Sequence, residues 1–383
     1  MKTKDDILKE INLGEDSSRQ FKREIERASD LAKEICALSN SVGGTIFIGI
    51  ADDQSITGLS ADQIRTYNGF ISAAANEQIR PSVYPKTQII ELDEKKIIVI
   101  EVPEGYTKPY CDKDGAYWVK SGSDKRKASP QELLRLFQDS SQISLDETLT
   151  SAPVEEIDRA KFYGFFEKIS GEEFSASGLT IEKALANMNL AKNGLFNLGG
   201  LLLFGSNVQK YKPYCMLRAI SYPGVDLSDD VFIDKQDCTG TIEEQFRSAL
   251  IFLQNNLKHI QKGESFNSVG ELEINKNALE EALVNALLHR DYSKNSLIRL
   301  FVFKDRVELI SPGSLPNHLS IENIKNGNSV MRNFILSSFG TKILPYTGIG
   351  SGVRRIVKNH PQVEFINDKD GQQFIVKFKR VGI

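Results

Sequence analysis

Glu281 and Asn285 stand four residues apart in NKNALEEALVNALLHRDY, residues 275–292, a strongly helical stretch. That spacing sets a carboxylate and an amide on one face of a helix. Further on, Gly350 and Gly352 precede a helical segment that carries Arg354 and Arg355. Bare backbone amides at a helix N-terminus can receive phosphate oxygens there. His289 follows the carboxylate and amide; it can serve as a base, or it can be satisfied by Asp291. A second concentration of charge, Lys120, Lys125, Arg126 and Lys127, lies near a strand end. Phosphate contact and an ordinary solvated edge both remain open for it, since Asp124 interrupts the run. Cys36, Cys111, Cys215 and Cys238 form no CxxC pair and lack histidines at zinc-ligand spacing, so neither a disulfide scaffold nor a structural zinc is expected.

The elements that must position these residues fall into three regions. A helix near Asp5 to Ile11 is followed by a capped start at Asp16 to Ser18. From there a helix runs through Ala37, with Ile25, Ala28, Leu31, Ala32 and Ile35 at helical spacing. Asn40 and the pair Gly43-Gly44 end it, and TIFIGIA, residues 45–51, reads as a buried strand. A helix near 61–78, a hairpin of KTQIIEL and KKIIVIEVP, the strand AYWVKSG and a helix near 130–138 complete an α+β unit over residues 1–140. SSQISLDETLTSAPVEE is poor in apolar residues and reads as a linker, which sets a domain boundary near 140–155. Residues 155–265 form a central α/β region, either a separate module or a bridge. Its amphipathic segment Ile242 to Leu257 suits core or subunit contact. Residues 270–383 form the last region, ending in the strand QQFIVKFK.

Composition bounds the function classes. A chain of 383 residues with 40% hydrophobic and 26% charged residues matches soluble globular averages, which excludes wholesale disorder or a fibrous repeat. No apolar run approaches the roughly 18 residues a spanning helix needs. The charged first turns lack the apolar centre of a secretory signal, so no membrane association and a cytoplasmic location are expected. The net charge of -3 does not announce nucleic-acid binding, yet residues 331–383 carry 9 Lys+Arg against 3 Asp+Glu. The C-terminal end is thus the basic part, which suits a phosphate-facing surface, although a solvated charged face is the commoner reason for such a run.

In the first region, Glu15-x4-Gln20-Phe21-Lys22, Asn40-Ser41-Val42-Gly43-Gly44 with the following strand through Asp52-Asp53, Lys108-Pro109-Tyr110 and Tyr117-Trp118-Val119-Lys120-Ser121-Gly122-Ser123 occur in one order. This order resembles the Schlafen AlbA_2 domain over about residues 10–138. The resemblance implies a nucleic-acid-binding fold with Lys120, Lys125, Arg126 and Lys127 as phosphate contacts. Schlafen nucleases use three carboxylates to hold divalent ions. The matching positions here are Glu15, Gln20 and Asp52, and the second is an amide, so the implied nuclease site is degenerate.

In the last region, Glu281-x3-Asn285-Ala286, His289-Arg290-Asp291, Ser311-Pro312-Gly313, Ser329-x2-Arg332-Asn333 and Gly348-Ile349-Gly350-Ser351-Gly352 resemble the divergent GHKL-type ATPase domains of proteins described as divergent AAA-4 or RecG-helicase-related transcriptional regulators. The match covers about 275–383, and residues 193–260 are similar to the central part of the same proteins. The resemblance implies a Bergerat-like α/β sandwich binding ATP and Mg2+. Glu281 would activate water for any ATP hydrolysis, and Asn285 would ligate magnesium between phosphates. Ser311, Gly313, Gly348, Gly350 and Gly352 would complete the nucleotide site. GHKL proteins generally carry an Asp where Ser311 stands, to accept from the adenine amino group, and a serine accepts a weaker hydrogen bond. The chain contains no GxxxxGK[ST] phosphate loop, so a helicase motor has no support in its residues.

Together these features lead to the expectation of a DNA-binding or RNA-binding transcriptional regulator with an ATP-binding-like C-terminal domain. Two rivals stand beside it: a metal-dependent Schlafen-like nuclease controlled by nucleotide, and a non-catalytic assembly or defence-associated scaffold. A homo-oligomer is also expected, because Schlafen-like grooves are built from two lobes and the chain holds one copy.

Overall fold

A computed structural model of the chain describes residues 2–140, 144–227, 231–261, 270–316, 319–346, 348 and 350–380. Two compact units divide it, Met1–Ile143 and Ser144–Ile383. No helix among the described residues is long and apolar enough to cross a membrane.

In the first unit, strands are ordered Arg19–Lys22, Gly44–Ile48, Lys95–Val102, Lys86–Leu92. The first two are parallel and are joined by the helix Ala28–Asn40. The other pairings are antiparallel. Alternation along the strands feeds two cores. Ile46, Ile48, Ile98 and Ile100 pack with Ile35 and Leu38 of that helix, whereas Phe47, Ile97 and Val99 pack with Ile7 and Ile11 of the helix Lys4–Asn12. Burial on both faces is why these strands read as continuous apolar runs. Asn40 ties a second hairpin, Trp118–Ser121 with Asp124–Lys127, to the unit. Its amide nitrogen donates to the carbonyls of Tyr110 and Trp118, both at 2.8 Å, and its oxygen accepts from the Tyr110 amide at 2.7 Å.

The capped helix start expected at Asp16 to Ser18 is not there. Asp16 Oδ1 accepts from the amides of Ser18 and Arg19, both at 2.8 Å, and turns the chain into the strand Arg19–Lys22; the helix begins at Ala28. An aspartate bonding to amides two and three residues on is the local signature of a cap and of a turn alike.

In the second unit, one six-stranded sheet runs in the order Asp234–Cys238, Leu217–Ser221, Ile298–Val302, Arg306–Pro312, Gln373–Lys379, Glu364–Asp368. Strands from the expected central and C-terminal regions therefore share a sheet, with Leu217–Ser221 parallel to Ile298–Val302. Helices Ile242–Asn256, Lys276–Leu288 and Gly352–Asn359 contribute to the main core, which includes Leu217, Phe252, Leu283, Leu300, Leu309 and Ile356. The expected linker is part of this unit from Ser144 onward, and its residues 141–143 lie outside the described residues. Leu149–Pro153 pairs with Leu195–Asn197, and Asp146 is fully buried. Its Oδ2 accepts from the Leu336 amide at 2.8 Å and Ser144 Oγ accepts from the Phe334 amide at 3.0 Å, so two polar residues of the apolar-poor segment cap the helix Phe334–Ile343 from 190 residues away in sequence.

Asp146→Ala leaves a buried amide without an acceptor and should cost on the order of 1–3 kcal/mol. Asp146→Asn keeps an acceptor and should cost less. Thermal denaturation of both variants checks the order, and equal losses would contradict the capping role.

Candidate functional site

The helix Lys276–Leu288 lies against the sheet, and a cavity opens along its side. Leu309, Ile324, Phe365, Phe374 and Val376 give it apolar walls, while Asn285, Ser311, Gly313, Arg332, Gly350 and Gly352 supply polar edges. Wide apolar walls with a few convergent polar groups suit a flat heterocycle carrying a polar tail.

Each polar group has a structural reason for its position. Ser311, 8% exposed, donates its hydroxyl to the Ala286 carbonyl at 3.1 Å. The hydroxyl hydrogen is thereby committed, and the lone pairs of Oγ are left to accept. Asn285 lines the cavity, and its side chain makes no hydrogen bond among the described residues. Gly350 has φ +72°, and a Cβ there would lie 2.5 Å from the Gly327 carbonyl. Gly348 is not among the lining residues, and Ile349 lies outside the described residues.

Glu281 is placed differently from Asn285. It is 5% exposed and does not line the cavity. Oε2 pairs with Arg355 Nη2 at 2.7 Å, whereas Oε1 is buried without a hydrogen-bond partner among the described residues and abuts Gly352, where a Cβ would collide with it. Burial raises the Glu281 pKa, and the Arg355 charge opposes that rise. A carboxylate expected to face a nucleotide is thus held behind the glycine loop by an arginine of the next helix.

The remaining motif residues brace the walls. Asn333 donates to the carbonyls of Leu288 and Arg290, both at 2.9 Å, and closes the end of the Lys276–Leu288 helix. Arg332 donates to the Ser314 carbonyl at 2.8 Å. His289 is not satisfied by Asp291, whose Oδ1 accepts from the amide and hydroxyl of Ser293. The imidazole instead lies in the cavity wall, where burial first and the Arg332 charge second push its pKa down to about 4.

In the first unit, Lys22 and the basic hairpin residues Lys120 and Lys125 meet at a group that the motifs did not mark, Glu34. This carboxylate is 3% exposed and lies 2.6 Å from Lys125 Nζ, 3.7 Å from Lys22 Nζ and 3.9 Å from Lys120 Nζ. Lys120 also donates to the Gln20 side-chain oxygen at 2.8 Å, and burial lowers its pKa. Gln20 in turn donates to Glu15 Oε1, which accepts from the Phe21 amide at 2.6 Å. Lys120 is therefore an internal strut. Arg126 forms a two-pronged pair with Glu132 at 2.6 and 2.8 Å, Lys125 is partly exposed, and Lys127 is exposed. Asp52 sits in an exposed turn, and no group of three His, Cys, Asp or Glu side chains that could hold a metal occurs among the described residues. The signal for Glu34 was in the sequence: it falls on the apolar stripe of Leu31, Ile35 and Leu38, where a solvated carboxylate does not belong.

Comparison with known proteins fits this division. Residues 15–129 match the family model "Schlafen, AlbA_2", and residues 295–378 match "Putative ATP-dependent DNA helicase recG C-terminal". The chain thus joins a Schlafen AlbA_2 domain to a RecG-related, ATPase-like domain, both within α+β units. Such domains define a nucleic-acid-associated, nucleotide-binding class. A crystal structure of a Corynebacterium diphtheriae protein aligns over 99% of this chain and 76% of its own, at 20% identity and a TM-score of 0.49. A solution structure of the N-terminal domain of a putative ATP-dependent DNA helicase RecG-related protein from Nitrosomonas europaea aligns over 34% of this chain and 95% of its own, at 26% identity and a TM-score of 0.23. No curated protein matches the chain.

The half-buried imidazole sets a pH dependence. Its pKa falls from an ordinary 6.5 to about 4, so the folded state binds fewer protons than the unfolded state between those values. Stability present above about pH 6.5 should drop as pH falls toward 4, by up to roughly 3 kcal/mol. Denaturant titrations from pH 4 to 7 should show a shallower slope in His289→Asn; identical slopes would remove His289 as the source.

Proposed function

We propose that the protein is a nucleic-acid-binding regulator, acting on transcription, whose C-terminal cavity takes ATP with Mg2+. The observation that carries the reading is the cavity's own polarity. An acceptor with its hydrogen already committed, Ser311, stands with apolar walls fit for a purine, and the Asn285 amide, unpartnered among the described residues, shares the cavity with Gly350 to Gly352. Magnesium takes oxygen ligands and keeps several of them as water and phosphate, so one amide oxygen is a sufficient protein contribution. Bound there, the metal would neutralise phosphate charge. Ser311 would accept from the base, Asn285 would hold the ion, and Gly350 and Gly352 would admit phosphate oxygens to bare amides. Glu281 would take a proton from water if hydrolysis occurs.

For the first unit we propose nucleic-acid contact at the hairpin. Three lysines around one carboxylate leave a positive excess beside the exposed Lys127, and Arg126 lies on the same strand. DNA is the favoured partner, in keeping with the regulatory role. Gln20 gives no support to the nuclease reading, because its amide is already engaged by Glu15 and Lys120. A second copy of the chain would supply the second lobe of a nucleic-acid groove.

Titration calorimetry of ATP, GTP and adenosine, with and without magnesium, tests the nucleotide site. ATP should bind, adenosine should bind far more weakly, and Asn285→Ala should remove the magnesium dependence. Because Ser311 offers an uncharged acceptor, discrimination against GTP should be lower by roughly ten- to a hundredfold than a carboxylate there would give, from a loss of about 1.5–3 kcal/mol. No heat for any triphosphate would refute the reading.

Gel-shift measurements over a salt series test the hairpin. Replacing Lys125, Arg126 and Lys127 with Ala should weaken DNA binding across sequences and reduce the salt slope by about one unit for each phosphate no longer neutralised. Unchanged affinity and slope would exclude the hairpin.

A further inference from the structure

We propose that Arg355 distinguishes a nucleoside triphosphate from a diphosphate by exchanging its partner, leaving the Glu281 carboxylate for the terminal phosphate. This rests on the nucleotide reading of the cavity and adds to it a specificity-determining residue and a means of exposing Glu281.

The geometry begins at Gly352. It lines the cavity and opens the helix Gly352–Asn359, and Arg355 follows three residues later on the same helix face. Both residues meet Glu281: Gly352 through the close approach of Oε1, Arg355 through the 2.7 Å ion pair to Oε2. The two partners differ in freedom. Glu281 is 5% exposed on a helix buried along most of its length, whereas the Arg355 side chain is 39% exposed. The arginine is thus the more exposed member, paired with a carboxylate just behind the loop that would receive phosphate.

Arg354, beside it, cannot take the role. Its guanidinium is committed to the carbonyls of Lys325 and Asn326, where it fastens the segment after the helix Ile321–Lys325. Glu281 and Arg355 lie outside the cavity lining, so only the far end of a ligand whose base sits beside Ser311 would reach them. A terminal phosphate there presents more negative charge than one carboxylate and accepts both prongs of a guanidinium. Transfer of Arg355 to that phosphate strips Glu281 of its counter-charge in a buried position, which makes the carboxylate a stronger proton acceptor. A diphosphate, one phosphate shorter, leaves the pair closed.

Opposite effects from the two halves of one ion pair are the signature of this exchange, since a pair that only braces the fold would weaken every ligand when either half is removed. Titration calorimetry of the full chain with ATP and with ADP, magnesium present, should give tighter binding of ATP in the wild type. Arg355→Ala should lower ATP affinity by roughly ten- to a hundredfold and leave ADP within about twofold. Arg355→Lys should recover part of the loss. Glu281→Gln keeps the shape and removes the competing charge, so it should raise ATP affinity several-fold without changing ADP. Thermal denaturation of the ligand-free variants controls for folding. If both substitutions move ATP affinity in the same direction, or ATP and ADP move together, the inference is overturned. Equal wild-type affinity for ATP and ADP would overturn it while leaving the nucleotide reading intact, and binding of neither would overturn both.

Discussion

A carboxylate removed from water must keep a counter-charge or give up its own, and the C-terminal unit is arranged around that constraint at Glu281. The helix carrying it is buried on nearly every side, with Ala278, Leu279, Ala282, Leu283, Val284 and Ala286 in the core. Glu281 faces the start of the helix Gly352–Asn359, and Arg355 meets it there. The pair links the helix Gly352–Asn359 to the helix Lys276–Leu288, and the start of the former borders the same cavity as Asn285. Asn333 secures the other end of the buried helix by holding the carbonyls of Leu288 and Arg290.

The N-terminal unit solves a related problem with different residues. Glu34 is as deeply buried as Glu281, and three lysines face it where Glu281 has one arginine. Gln20 completes the network because an amide both donates and accepts, toward Glu15 on one side and from Lys120 on the other. A carboxylate at that position would set two negative charges against each other beside Glu15. The network orients the hairpin from its inner end and leaves its outer strand to solvent.

Much of this was legible because the apolar runs are strong. The run through Ile46 to Ile48 and the hairpin of residues 86–102 read as strands because they are short and continuously apolar, and the segment carrying Glu281 and Asn285 reads as a helix from its length and helix-forming residues. Where reading failed, polar residues decided the structure. Asp16 makes a turn with the same hydrogen bonds a helix cap would use, and Asp146 with Ser144 turned an apparent linker into a buried cap because their partner lies 190 residues onward. The partners of Glu281 and Glu34 were hidden for the same reason: spacing tells which face a charge occupies, not which charge will meet it. The shared six-stranded sheet was equally invisible, since the pairing of Leu217–Ser221 with Ile298–Val302 joins strands far apart in sequence.

A crystal structure of the full chain grown with magnesium and a non-hydrolysable ATP analogue tests the cavity directly. The expected result is a purine between Leu309, Ile324 and Val376 with its amino group on Ser311 Oγ, magnesium on the Asn285 side chain, and phosphates at the amides of Gly350 to Gly352. A nucleotide bound elsewhere on the chain, or crystals grown at saturating analogue with the cavity empty, would contradict it.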